Sequence, residues 1–226
     1  MDLSRVYVVV PAYNEGSAVH DVVREIRLDF PHVVVVDDGS RDATAAEAKK
    51  AGAVVLRHVL NRGQGAALQT GIDYCLRRGA DVVVTFDADG QHRVEDVHRM
   101  LAALETTGAD VAIGSRFLDL QSNLPAARRL TLRIATRFMR LTSGVPLTDA
   151  HNGLRAIRRS AAQRIRITLD GMAHASELVD QIDRHDLKVT EVPVVIRYSE
   201  YSLAKGQSSF AAIRIAFDYL FKRIFR

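Results

Sequence analysis

The chain has 226 residues, 47% of them hydrophobic, with 31 Lys and Arg against 27 Asp and Glu. That length supports one well-buried domain, or one domain with a small appendage, and a net charge of +4 singles out no partner. The single cysteine, Cys75, excludes an internal disulfide and any Cys-rich metal site.

Asp2 and Arg5 flank Leu3, so no apolar leader follows Met1, no signal peptide is expected and the chain reads as cytoplasmic. No run of about 18 uncharged apolar residues predicts a membrane span. VYVVV (6–10) and VVVV (33–36) are too short and too Val-rich for helices and read as strands. Between them Val19, Val22, Val23 and Ile26 recur at helical spacing. RDATAAEAKKAG predicts a second helix closed by Gly52, then a strand over 53–57 and a helix from Gln64 to Arg78. Cys75 sits at helical spacing within it, as a buried small hydrophobe rather than a nucleophile. DVVVTF (81–86) is the next strand. Val94, Val97, Met100, Leu101 and Leu104 form another helical face before the strand DVAIG. After residue 120 the pattern turns mostly helical, with one later strand in KVTEVPVVIRY and a closing amphipathic segment.

Alternating apolar strands and helices predict an α/β fold with a mostly parallel central sheet and helices on both faces. Right-handed crossovers bring the strand C-termini to one edge, where ligands of open sheets bind. PAYNEGS, DDGSRD and DADGQH follow three of these strands and gather Tyr13, Glu15, Asp37, Asp38, Asp87 and Asp89 there. Asp-x-Asp at a strand end suits Mg²⁺ or Mn²⁺, which keep water and phosphate oxygens beside one or two carboxylates; Gln91 adds a carbonyl. Tyr13 suits a base, Glu15 ribose hydroxyls and Asp38 a base N–H. Asp38-Gly39-Ser40 is equally a strand-to-helix turn. NRGQGAALQTG (61–71) lacks the Lys-Ser/Thr of a phosphate loop and reads chiefly as close backbone packing.

With VPAYNE (10–15), VVDDGSRD (35–42), NRGQGAA (61–67), DADGQH (87–92), AIGSR (112–116), DAHNGLR (149–155) and GMAHASELV (171–179) in order, the chain resembles the inverting family-two glycosyltransferases, in particular the polyprenyl- and dolichol-phosphate sugar synthases. The resemblance implies a GT-A nucleotide-diphospho-sugar transferase fold over 1–207, followed by an amphipathic helix over 208–226. It implies Pro11, Tyr13, Glu15, Val36 and Asp38 around the nucleoside of a UDP- or GDP-linked sugar. Asp87, Ala88 and Asp89 fall at the ribose and diphosphate, with Asp87, Asp89 and Gln91 as the metal set and Asp89 as the firmest ligand. Arg116 faces the diphosphate, and Asp149 and Glu177 lie near the sugar and acceptor. The chain departs from the family at Leu154, where an aromatic residue is common, at His174, and at Lys205, which stands before Gly206 as the diphosphate clamp while Ser209 replaces the usual lysine.

The implied reaction is one inverting displacement at the anomeric carbon. A lipid phosphate acceptor is already anionic and needs no strong base, whereas a saccharide hydroxyl requires one, Asp149 first. Phe210, Ile213, Phe217, Leu220, Phe221 and Ile224 share one face of the last segment, which suits either peripheral contact with an anionic membrane or packing on protein. From Leu120 to Leu169 ten arginines accompany a single acid, Asp149, which suits an anionic surface or a solvated basic face. The chain ends without the transmembrane helices common in the family, so attachment at the inner face of the membrane is expected to be peripheral or through a membrane-protein partner; self-association stays open. A nucleotidyltransferase is disfavoured because PAYNEGS is no triphosphate loop. Nucleic-acid binding is disfavoured by 6% aromatics, no Trp and the carboxylate edge.

Overall fold

The computed structural model describes residues 1–118, 147–171 and 173–197. Lys205, the segment 208–226 and the arginines from Arg128 to Arg140 lie outside the described residues. The elements in chain order are β1 (Val6–Ala12), α1 (Val19–Arg27), β2 (His32–Asp37), α2 (Thr44–Lys50), β3 (Val54–Arg57), α3 (Gln64–Arg77) and β4 (Val82–Thr85). They continue through α4 (Val94–Thr107), β5 (Val111–Ser115), β6 (Arg155–Arg158), α5 (Arg159–Ala162), α6 (His174–Arg184) and β7 (Val189–Pro193).

The strands form a seven-stranded sheet in the order β3-β2-β1-β4-β6-β5-β7. Six run in one direction, and β6 lies antiparallel between β4 and β5. The chain steps outward from β1 to β3, then returns through α3 to β4 on the other side of β1. This reversal opens a crevice at the C-terminal ends of β1 and β4.

Both faces of the sheet are covered, so its strands need no polar side. Val6, Val8, Val10, Val33, Val35, Val82 and Val84 pack in one core with α1 and α4. Val9, Val34, Val36, Val83, Val111 and Ile113 pack in the other with α3 and α6. The two sets alternate along each strand, as a period of two dictates. Val19, Val22, Val23 and Ile26 bury the face of α1, each contributing about 1.5–3 kcal/mol over exposure. Cys75 is wholly buried in α3, as its spacing predicts. At Gly71 a Cβ would run into the Val9 side chain, so α3 can lie close on β1 only with glycine there.

The second half departs from expectation at β6, a strand where a mostly helical pattern is predicted. Its four residues, Arg-Ala-Ile-Arg, carry arginines at both ends and hide the strand pattern. The strand expected over 188–198 is shorter and stops at Pro193, which has no N–H to extend the ladder. Val194 and Ile196 still pack into the core.

Candidate active site

Because β6 runs backwards, its first residue meets the ligand edge alongside the last residues of its neighbours. The loop after β1 is tied to the loop after β2 by Asn14 N–H to Ser40 Oγ (2.9 Å), Glu15 N–H to Thr44 Oγ1 (2.9 Å) and Gly16 N–H to Asp42 Oδ2 (3.0 Å). Beyond β1, β2 and β3 lies a cleft of about 540 Å³ lined by Tyr13, Ser40, Arg41, Arg57, His58 and Leu60, among others. Tyr13 is 44% exposed and Leu60 73%, so the cleft offers apolar surface beside two guanidinium groups. That composition suits a planar, polar-edged base.

Three residues expected around a nucleoside are packed or bonded within the protein. Pro11 and Val36 lie opposite one another in the β1–β2 ladder, both buried, and the Val36 side chain belongs to the core under α3. Val36 therefore has no side-chain surface for a ligand. Asp38 turns inward: its Oδ1 accepts Arg62 N–H at 2.9 Å and His58 Nδ1–H at 2.7 Å, and its Oδ2 accepts Gly63 N–H at 2.6 Å. His58 Nε2 lies 3.0 Å from Thr70 Oγ1. Asp38 thereby fixes the loop that enters α3. Asp37 is wholly buried, with Oδ1 accepting Ser40 N–H at 2.9 Å and Arg57 Nε 3.2 Å from Oδ2.

The carboxylate pair stands at the end of β4. Ala88, between the two acids, is buried in the core that α1 and α4 cover. Asp87 Oδ1 accepts Gln64 Nε2–H at 3.0 Å, and Oδ2 accepts His92 Nε2–H at 3.0 Å. The His92 ring meets Phe86 edge-on, with centroids 5.4 Å apart, which steadies it. A Cβ at Gly153 would collide with the Asp87 carboxylate, so glycine is required beneath it. Burial opposes the charge on Asp87, yet the hydrogen bond and charge of His92, followed by the charge of Arg155, hold its carboxyl below the ordinary range. Asp89 goes the other way: burial first, then the charge of Asp87, with Glu15 adding to it, pushes its carboxyl up to about 6. Gln91 meets Asp89 through its main chain, N–H to Oδ1 at 3.0 Å.

These donors fit a small divalent cation. Hard oxygen ligands are present, and Asp89 sits in a field of like charge that such a cation would relieve. Among the described residues no cluster of three or more His, Cys, Asp or Glu could hold a metal ion. A divalent ion held here would take its remaining ligands from water and phosphate oxygens.

Across the crevice, Arg116 and Asp149 bind each other. Nε donates to Oδ2 at 2.6 Å and Nη2 to Oδ1 at 2.7 Å, a bidentate fork, with Arg116 N–H adding a contact at 3.2 Å. Asp149 is wholly buried. Burial opposes its charge, but the charge and hydrogen bonds of Arg116 outweigh that and keep its carboxyl below the usual range. Glu191 on β7 holds this corner by accepting from Thr148 N–H at 2.8 Å, Thr148 Oγ1–H at 2.9 Å and Asp149 N–H at 3.1 Å. Glu177, expected near sugar and acceptor, is buried in the first turn of α6 and accepts Thr168 N–H (2.9 Å), Thr168 Oγ1–H (2.5 Å) and Leu169 N–H (2.8 Å).

Sequence reasoning passed over the role of Arg155. It is 1% exposed, and its Nε and Nη1 have no hydrogen-bond partner among the described residues. Burial brings its guanidinium down to about 10, against the pull of Asp87 and Asp149, so it remains a cation that both acids attract. Leu154 beside it is wholly buried, which makes the missing aromatic residue a matter of core packing. Burial also lowers His174 and His151 to about 4, so both are neutral near pH 7.

A family model described as glycosyl transferase family 2 matches residues 7–166. The polyprenol monophosphomannose synthase of Mycolicibacterium smegmatis is 33% identical over 218 residues, covering 91% of this chain and 82% of that protein. The UDP-N-acetylglucosamine–dolichyl-phosphate N-acetylglucosaminyltransferase of Methanococcus voltae is 28% identical, with 95% and 94% covered. Among solved structures, glucosyl-3-phosphoglycerate synthase from Mycobacterium tuberculosis, crystallised with Mn²⁺, UDP and glucosyl-3-phosphoglycerate, has the same fold. Its TM-score is 0.71 at 20% identity, covering 96% of this chain and 80% of that one.

Proposed function

The chain belongs to glycosyltransferase family 2 and has the GT-A fold; from that premise we propose that it transfers a sugar, with inversion, from a nucleotide-diphosphate sugar to a polyprenyl phosphate. An oxygen of the lipid phosphate bonds to the anomeric carbon as the bond from that carbon to the diphosphate breaks. The electron pair leaves with the nucleoside diphosphate.

The observation that carries the choice of acceptor is the Arg116–Asp149 pair. A carboxylate held by two charge-assisted bonds and kept below its ordinary range is a poor proton acceptor. Glu177, the other candidate, accepts three hydrogen bonds from residues 168–169. A site whose acids are engaged in this way suits an acceptor that arrives already ionised, as a phosphate does. The two relatives named for dolichyl-phosphate and polyprenol acceptors support the same reading.

In this reading the cleft beside Tyr13 and Leu60 holds the base, and Glu15 the ribose. Asp89 would hold Mg²⁺ or Mn²⁺, with Asp87 and Gln91 beside it. Bound there, the ion supplies positive charge to the departing diphosphate. Arg116, oriented by Asp149, would present guanidinium N–H to the diphosphate, and Lys205 its ammonium from the C-terminal side. Among the described residues no helix is long and apolar enough to cross a membrane. The segment 208–226, apolar on one face of its sequence, would be a peripheral contact with the membrane that carries the lipid.

The test is a panel of UDP- and GDP-sugars with Mn²⁺, scored by thermal shift and then by product formation with polyprenyl phosphate or with saccharides. Lipid-linked product is expected, and Asp89→Asn should abolish it while the fold stays intact. Transfer to saccharide alone would overturn the acceptor, and full turnover by Asp89→Asn would overturn the metal site.

A further inference from the structure

The geometry points to Glu177 as a positioning residue for the carboxylate pair, acting through Gln64 rather than on sugar or acceptor. This rests on the metal-site reading above. The connection can be followed bond by bond. Glu177 fixes the backbone of Thr168 and Leu169 at 2.9 and 2.8 Å. The same segment is held on α6 by Gln181, whose Oε1 accepts Arg166 N–H at 2.6 Å, and on α3 by Gln69, whose Oε1 accepts Ile167 N–H at 2.7 Å. One residue further on, the Asp170 carbonyl accepts Gly65 N–H at 2.7 Å at the start of α3. A Cβ at Gly65 would strike the Leu169 carbonyl, and one at Gly63, where φ is 101°, would strike that of Asp170. The two backbones therefore touch with nothing between them.

Gln64 lies between those two glycines, and its amide donates to Asp87 Oδ1 at 3.0 Å. The residues before it are anchored from the other side, since Asp38 holds Arg62 N–H and Gly63 N–H. Gln64 is thus clamped between a carboxylate at the end of β2 and a segment that Glu177 keeps in place. Amide side chains have many rotamers, and an orienting group works only when its own backbone is fixed. The glycines of the 61–67 stretch let two loops approach, and the residue between them carries the contact to the site.

Outer groups that orient metal-ligating side chains are worth about 10- to 100-fold in metal affinity. Mn²⁺ binding, followed by the electron paramagnetic resonance of the free ion with and without UDP, reads this without turnover. Glu177→Ala and Gln64→Met should each weaken Mn²⁺ by about tenfold or more. The double variant should be no weaker than the worse single one, because both cut the same connection. Glu177→Gln should recover most of the loss, since its amide oxygen still accepts the two backbone N–H groups and its amide nitrogen can face Thr168 Oγ1.

Losses that multiply in the double variant would overturn the inference, as would a Glu177→Gln turnover as low as that of Glu177→Ala, the mark of a needed charge or base. If Glu177→Ala does not fold, Gly65→Ala separates the two loops directly. It should lose Mn²⁺ affinity with Gln64 present and lose nothing further in the Gln64→Met background; unchanged affinity with Gln64 present overturns the inference. Asp89→Asn in the same titration keeps the two claims apart, because Mn²⁺ binding that survives it refutes the metal site itself.

Discussion

Replacing Asp149 by Asn should destabilise the fold by about 3–5 kcal/mol, the usual cost of leaving one member of a buried ion pair uncompensated. That range applies here because Asp149 is wholly buried, the Arg116 side chain is 10% exposed, and both oxygens of the fork are used at 2.6 and 2.7 Å. For a chain of this size about 1 kcal/mol lowers the melting temperature by about 2–4 °C, which gives a fall of about 6–20 °C. Far-UV circular dichroism measures it; the chain has no Trp for fluorescence. The pH dependence has a definite sign. The Asp149 carboxyl is lower in the folded chain than in the unfolded one. Its stabilisation is therefore full above the unfolded value of about 3.9 and is lost as pH falls through the folded value. The gap between wild type and variant should stay flat from about pH 5 to about pH 8 and shrink only in stronger acid. Arg116→Met should cost far less in the Asp149→Asn background than alone, because the pair is then already broken. A destabilisation below about 1 kcal/mol, or a gap that widens toward acid, would refute the ion-pair account.

Two further predictions test the ground beneath the site. Gly153→Ala pushes a Cβ into the Asp87 carboxylate and should cut nucleotide-sugar turnover about a hundredfold with an unchanged circular dichroism spectrum; wild-type turnover would show that Asp87 need not stand where it does. Cys75 is buried, and burial pushes its thiol up to about 12. A disulfide reagent near pH 8 should therefore leave it untouched until denaturant is added, and rapid native labelling would contradict its place in the core.

The first half of the fold was legible because each element carries its own period. Val19, Val22, Val23 and Ile26 announce α1 without knowledge of the rest, and the valine runs announce buried parallel strands. β6 was not legible, because Arg155 and Arg158 disguise a buried strand as polar chain. The Asp87–Asp89 pair was readable from its place at a strand end. What orients it was not: Gln64 is 23 residues from Asp87 and meets it only once α3 crosses the sheet. Asp38, Asp149 and Glu177 were legible as important acids, but their partners Gly63, Arg116 and Leu169 come from other elements. The residue types marked the site, and tertiary packing assigned their tasks. Arg155 and Glu191 had no local signal beyond a basic and an acidic residue in strand-like chain.

The Arg116–Asp149 fork also acts as a clasp. The chain leaves the sheet at Ser115 and rejoins it at Arg155, and both points lie at the same edge because β6 is reversed. Ser115 Oγ and Thr148 Oγ1, 2.6 Å apart, fasten the neck together with the fork and Glu191. The register of β5 against β6 is therefore secured from outside the ladder, by side chains of Ser115, Arg116, Thr148, Asp149 and Glu191.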